Sequence, residues 1–141
     1  MIVELISSFF GSLGFGMVFN VRRGNLFSVA LGGLLVCGTH LLCFEYLHFS
    51  LFLSSLVAGA VCQVFSEIMA RISKSPATIF YITSLIPLIP GGALFRTMDA
   101  AVEKDFSLFR LYGIQTIHIT LGLAIGISCV TALLYFFQRK K

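Results

Sequence analysis

The residues best suited to chemistry are clustered in one short run, PLIPGGALFRTM at positions 87–98. Proline removes a backbone donor and its ring clashes with the preceding turn, while glycine reaches dihedrals that other residues avoid. Broken backbone at bilayer depth persists only where protein buries it or where it lines a polar cavity. A half-helix starting there presents free N–H groups to an anion, which is how discontinuous helices hold substrates in secondary transporters. Pro87, Pro90, Gly91 and Gly92 are therefore candidate binding positions for an anionic group. The competing reading is a plain proline kink that leads into an amphipathic external segment.

Ionisable side chains inside apolar stretches come next. Glu67 lies four residues before Arg71. A carboxyl in a membrane span is costly when charged and trades its proton readily, so Glu67 is a candidate proton-coupling group. An i,i+4 ion pair with Arg71 near the cytoplasmic interface explains it equally simply. His40 and His118 sit deeper, and histidine is the residue type suited to relaying protons, although hydrogen-bonded packing would also place them there. Gln63, Gln115, Thr116 and Thr120 add polar faces that line a path or bond helix to helix. In GFGMVFNVRRGNL, Asn20 can close a helix end, while Arg22 and Arg23 can anchor or gate the anionic cytoplasmic face. Neither His40 nor His118 has a partner at nucleophile–base or metal-ligand spacing. Cys37, Cys43, Cys62 and Cys129 lie in apolar stretches without a CxxC pair. No catalytic activity, metal or cofactor is expected.

The elements that position these groups follow from composition. Of 141 residues, 57% are hydrophobic and 11% charged, against roughly 25% charged in a soluble domain. The net charge of +4 could indicate nucleic acid, but the basic residues stand in short clusters between apolar runs, which is a topology signal. Five such runs stand out, at 2–21, 26–44, 49–70, 77–95 and 111–137. A bilayer core needs roughly 20 helical residues, which four of them supply. The fourth, at 77–95, is interrupted by the Pro/Gly run. With five crossings, Arg22 and Arg23, Arg71 and Lys74, and Arg139, Lys140 and Lys141 all fall on one side. A fourth segment that dipped and returned would strand the last cluster opposite the others. The expected architecture is thus an all-α integral membrane domain over 1–141 with five transmembrane helices, the fourth broken. Its N-terminus lies outside and its C-terminus in the cytoplasm. The opening MIVELISSFF lacks the basic start and small-residue cleavage site of a secretory signal, so it is expected to remain as a span. Small residues four apart, as in Ser54, Ala58 and Cys62 or Gly122 and Gly126, supply close-packing faces.

The two quoted motifs, GFGMVFNVRRGNL and PLIPGGALFRTM, resemble the C-terminal half of the threonine/serine exporter family. The resemblance covers nearly the whole chain. In many bacteria that half is a separate small protein of the cytoplasmic membrane, working beside a larger membrane subunit. The resemblance implies export of a small carboxylate-bearing solute, threonine or serine or a dicarboxylate such as succinate, driven by the proton motive force. It makes Asn20, Pro87, Pro90, Gly91 and Gly92 family-motif positions. The rival class is a small homo-oligomeric channel or scaffold. Efflux by the chain alone would favour that rival.

The topology is open to cysteine labelling. A reporter cysteine beside Lys104 should react with an impermeant reagent on intact cells, and one beside Lys140 only after permeabilisation. Reaction of both on the same side would remove the fifth crossing.

Overall fold

The computed structural model describes residues 2–138, all helix and turn. Six α-helices follow in order: α1 (Ile2–Val18), α2 (Leu26–Leu41), α3 (Leu51–Ser73), α4 (Ala77–Leu85), α5 (Gly91–Val102) and α6 (Phe106–Gln138). A π-helical turn at Leu42–Tyr46 extends α2, and a 3-10 turn at Ile86–Leu88 extends α4. The basic cluster at 139–141 lies outside the described residues.

Helix ends are set by local chemistry. Asn20, Lys74 and Lys104 adopt left-handed φ values of 54°, 49° and 60°. In each case the next N–H reaches back five residues, Val21 to Gly16 at 2.9 Å, Ser75 to Ala70 at 3.1 Å and Asp105 to Ala100 at 3.0 Å. These 6→1 bonds satisfy carbonyls that a helix end leaves open. The last helix starts five residues earlier than the apolar pattern predicts. Asp105 Oδ1 accepts from the N–H groups of Ser107 at 3.0 Å and Leu108 at 3.1 Å, a capping arrangement that hydropathy does not register.

Arg23–Tyr46, Leu51–Ser73 and Phe106–Phe136 are each long and apolar enough to cross a bilayer. The segments Ala77–Leu88 and Gly91–Val102 pass the same test as a pair, bent by 50° at the break. At 17 residues, α1 spans about 25 Å, short of a core of roughly 30 Å. The chain is thus a multi-pass helical protein with three candidate spans, or four if the bent pair is one.

The packing is built on small residues. α2 sits among α1, α3 and α4, and its two adjacent glycines divide these neighbours, Gly32 also meeting Phe65 of α3. Gly32 faces Ser84 of α4, and Gly33 faces Ser12 and the Ser8 carbonyl of α1. On α3, Ser54, Ala58 and Cys62 are fully buried, with Ala58 and Cys62 packed beside Val36 of α2. The opposite side of α3 receives α6. A Cβ on Gly59 would sit 2.8 Å from the Leu123 carbonyl, and one on Gly122 2.6 Å from the Phe52 carbonyl. A Cβ on Gly126 would collide with the Leu56 carbonyl and lie 3.0 Å from the Ala60 nitrogen. α5 folds against the start of α6, where Arg96 stands 5.5 Å over the Tyr112 ring.

Gly122→Val and Gly126→Val should each destabilise the fold by about 1–3 kcal/mol, the usual cost of overpacking. Thermal unfolding in mild detergent measures this, with Gly91→Val as the comparison, since a Cβ there meets nothing within 4 Å. Equal midpoints for all three would show that the α3–α6 contact does not hold the bundle.

Candidate functional site

The break after α4 has a definite construction. The 3-10 turn at Ile86–Leu88 carries Pro87, and Ile89 turns extended at φ −61°, ψ 127°. Pro90 follows at φ −75°, ψ 53°, with the Gly91 N–H bonded to the Ile89 carbonyl at 2.7 Å. That is an inverse γ-turn, and proline's locked φ suits its central position. The first ordinary helical bond of α5 runs from the Leu94 N–H to the Pro90 carbonyl at 2.9 Å. No side chain caps this end, and among the described residues no acceptor meets the Gly92 and Ala93 N–H groups.

The break lies at mid-depth in the bundle. A Cβ on Gly11, near the middle of α1, would sit 4.0 Å from the Pro87 ring. From there a cavity of about 520 Å³ runs between α1 and α2 to the end that carries Glu4 and His40. Small-molecule pockets run from roughly 300 to 1,000 Å³, so its size is ordinary for one. Glu4, Ser7, Ser8 and Gly11 line it from α1, Cys37 and His40 from α2, and Ile86, Pro87 and Leu88 from the break. The α1 contribution is a stripe at i, i+3, i+4 and i+7, one face of a helix. This stripe was the signal available in the sequence, hidden in a segment read only as an apolar span.

Local geometry fixes the His40 ring. The residue ends the last turn before the π-helical segment, a distortion often found at functional positions. Its imidazole stacks on Phe44 with 1° between the planes and centroids 6.3 Å apart. The Nδ1 atom is buried and finds no hydrogen-bond partner among the described residues. Across the α1–α2 seam, the Cys37 thiol donates to the Glu4 carbonyl at 3.9 Å.

Of the positions singled out in the sequence, His40 and Pro87 come together at this cavity. Pro90, Gly91 and Gly92 continue past it, and both glycines are exposed with open space at their Cβ positions. Glu67 is not in its wall. It sits one turn from Arg71, with Oε2 3.9 Å from the guanidinium Nε, near the end of α3. His118 is exposed on α6. Thr116 and Thr120 donate back to their own helix, to the carbonyls of Tyr112 at 2.9 Å and Thr116 at 2.8 Å. Gln63 is buried, and its Oε1 has no hydrogen-bond partner among the described residues. Asn20, Arg22 and Arg23 lie beyond the opposite end of α1, where Asn25 donates to Ser75 at 3.2 Å. That bond draws the turn bearing Arg22 and Arg23 against the one following Arg71 and Lys74.

A polytopic helical domain with a polar cavity reaching a broken helix has the build of a solute transporter. The sequence model of the family described as "Threonine/Serine exporter, ThrE" matches residues 4–133, nearly the whole chain. The chain belongs to that family, and is thereby a multi-pass membrane protein of amino-acid export rather than an enzyme family member. No curated protein and no solved structure matches it.

Water should reach the cavity but not the apolar grooves elsewhere on the bundle. With the four native cysteines replaced by alanine, Ser7→Cys should react with a charged thiol reagent, and Val61→Cys in the groove on α3 should not. An unreactive Ser7→Cys would mean that the cavity is closed to solvent.

Proposed function

We propose that the chain is one membrane subunit of a two-component exporter of small carboxylate-bearing metabolites, threonine and serine first and a dicarboxylate such as succinate next. The proton motive force drives it, and a larger membrane subunit supplies the other half of the path. The observation that carries this reading is the cavity that reaches the broken helix at mid-bundle, in a chain of this family. Burying a carboxylate costs several kcal/mol unless donors compensate. The free Gly92 and Ala93 N–H groups and the positive end of α5 are donors of the required kind, one turn beyond Pro87. Pro87, Pro90, Gly91 and Gly92 are accordingly the proposed substrate-binding segment.

In this reading the chain crosses a bacterial cytoplasmic membrane five times, N-terminus outside. The 50° bend carries α5 onward rather than back, and α1 makes up its short length by tilt or local thinning of the bilayer. The joined turns bearing Arg22, Arg23 and Lys74 then form the cytoplasmic anchor, with Asn20, Arg22 and Arg23 placed to act as a gate. α6 supports a partner subunit. It is 33 residues long, and Ile114, Ile117, Leu121 and Ile125 are exposed along it. Such a face suits a second protein as well as lipid. A homo-oligomeric channel would use the same face.

Threonine efflux from cells expressing this chain, the larger subunit, or both separates these readings. Efflux should need both, and the two should co-purify in mild detergent. Full activity of this chain alone in liposomes would replace the two-component reading with the channel. Gly91→Val and Gly92→Val, which the fold has room for, should abolish efflux with membrane insertion unchanged. Normal efflux from both would reduce the break to a kink.

A further inference from the structure

We propose that the end of the bundle carrying the α1–α2 and α3–α4 turns binds an anionic phospholipid. Its headgroup rests on Arg22, Arg23 and Lys74, and one acyl chain enters the groove between the end of α1 and α4. The site needs only that the chain lies in a bilayer, and so stands apart from the exporter reading.

The two turns form one platform. Asn25 donates to Ser75 at 3.2 Å across them. Beneath that bond, Val21 of the first turn packs in a single apolar cluster with Val29 of α2 and Phe80 of α4, and Met69 and Ala70 of α3 close it. Val21 is 7% exposed, which fixes the backbone immediately before Arg22. Ala70 does the same immediately before Arg71. The bases of the two turns therefore ride on one packed cluster, with the Arg22, Arg23 and Lys74 side chains exposed above it.

Nothing acidic in the chain neutralises these three. Of its six acids, Glu67 alone belongs to this end, and it stands 3.9 Å from Arg71. Glu4 lies near the far end of α1, Glu45 follows the far end of α2, and Asp99, Glu103 and Asp105 come after the break. Arg22, Arg23 and Lys74 are thus a cationic rim without a carboxylate among the described residues. An anionic surface contributes about 1 kcal/mol for each such base close to it.

A groove of about 150 Å³ opens beside this rim, lined by Phe19 from the end of α1 and by Thr78, Ile79, Ile82 and Thr83 of α4. Phe19 precedes Arg22 by three residues and Thr78 follows Lys74 by four, so the slot begins where the charges end. From Thr78 to Thr83 it descends about 8 Å along the helix. The Thr83 hydroxyl donates to the carbonyls of Ile79 at 2.6 Å and Phe80 at 3.2 Å, so its polar atom is already satisfied. The groove is smaller than the roughly 300 Å³ at which small-molecule pockets begin, too small for a solute site but suited to a stretch of hydrocarbon chain. Bases above an apolar slot match an amphiphile with an anionic head. A free phosphate would leave the slot empty, and a neutral lipid would leave the bases unpaired.

The test is saturable binding of labelled phosphatidylglycerol to the purified full chain in neutral-detergent micelles. Phosphatidylcholine with the same acyl chains should not displace it, and affinity should fall as salt rises. Arg22→Gln, Arg23→Gln and Lys74→Gln should each weaken binding by about fivefold, the equivalent of about 1 kcal/mol per base. Arg110→Gln, on α6 beyond the break, should bind as the wild type does. Asn25→Ala parts the turns with every charge kept, and Ile82→Trp fills the groove, so both should weaken binding with an unchanged thermal midpoint in phosphatidylcholine. Glycerol 3-phosphate should compete poorly with the lipid, a comparison that needs no variant. Equal binding of the two lipids would overturn the proposal, as would an equal loss in Arg110→Gln, which would mean diffuse attraction. Competition by glycerol 3-phosphate as strong as by the lipid would remove the groove from the site. Displacement of the lipid by the co-expressed larger subunit would assign the rim to a protein partner instead. None of these results depends on efflux, so their failure leaves the exporter reading untouched.

Discussion

Lipid is as apolar as leucine, so burying leucine against leucine gives helices in a bilayer little reason to associate. What remains is close contact, and close contact requires residues small enough to let backbones meet. Gly32 and Gly33 impose this on the whole molecule. One admits Ser84 of α4, the other Ser12 of α1, so α2 can hold both neighbours at once. The same requirement recurs on α3, where one side buries Ser54, Ala58 and Cys62 and the other meets Gly122 and Gly126 of α6. Replacing any of these glycines by a larger residue pushes a helix away, and at Gly33 the helix displaced is α1, which lines the cavity.

The cavity and the break depend on each other. An inverse γ-turn at Pro90 cannot continue a helix, and its unpaired N–H groups would be costly against lipid tails. Placing Pro87 against Gly11 lets the 3-10 turn that precedes this backbone enter the bundle, where Ser7, Ser8 and His40 make a polar surround. At Gly11, near the mid-point of α1, a Cβ would meet the proline ring at ordinary contact distance. The groove on α3, by contrast, is lined wholly by aliphatic and aromatic side chains.

The distribution of packing also bears on assembly. α1 to α4 surround one another, whereas α6 leans chiefly on α3 and α5 and leaves many of its apolar side chains exposed. A 33-residue helix is about 50 Å long, well beyond a hydrocarbon core of roughly 30 Å, so it tilts or protrudes. Under the proposed two-component reading, this open side is where the larger subunit packs.

Hydropathy and charge spacing were enough to recognise a helical membrane domain and to locate the interruption at Pro87 and Gly91, because lipid imposes its constraint on each segment separately. The family motifs were likewise legible as local strings. The end of the fourth stretch and the start of the last helix were not, since they depend on a left-handed Lys104 and a capping Asp105 that apolarity does not report. The small-residue spacing announced close packing, but not that Ser54 and Ser55, adjacent in sequence, would serve opposite neighbours. The site was half visible. Pro87 and His40 could be marked as unusual, yet so could Glu67 and His118, and residue type alone did not rank them. The tertiary structure separated them, because a cavity belongs to three elements at once. Glu4, Ser7 and Ser8 gained their meaning only when α1 turned that face toward the end of α2 and the break after α4.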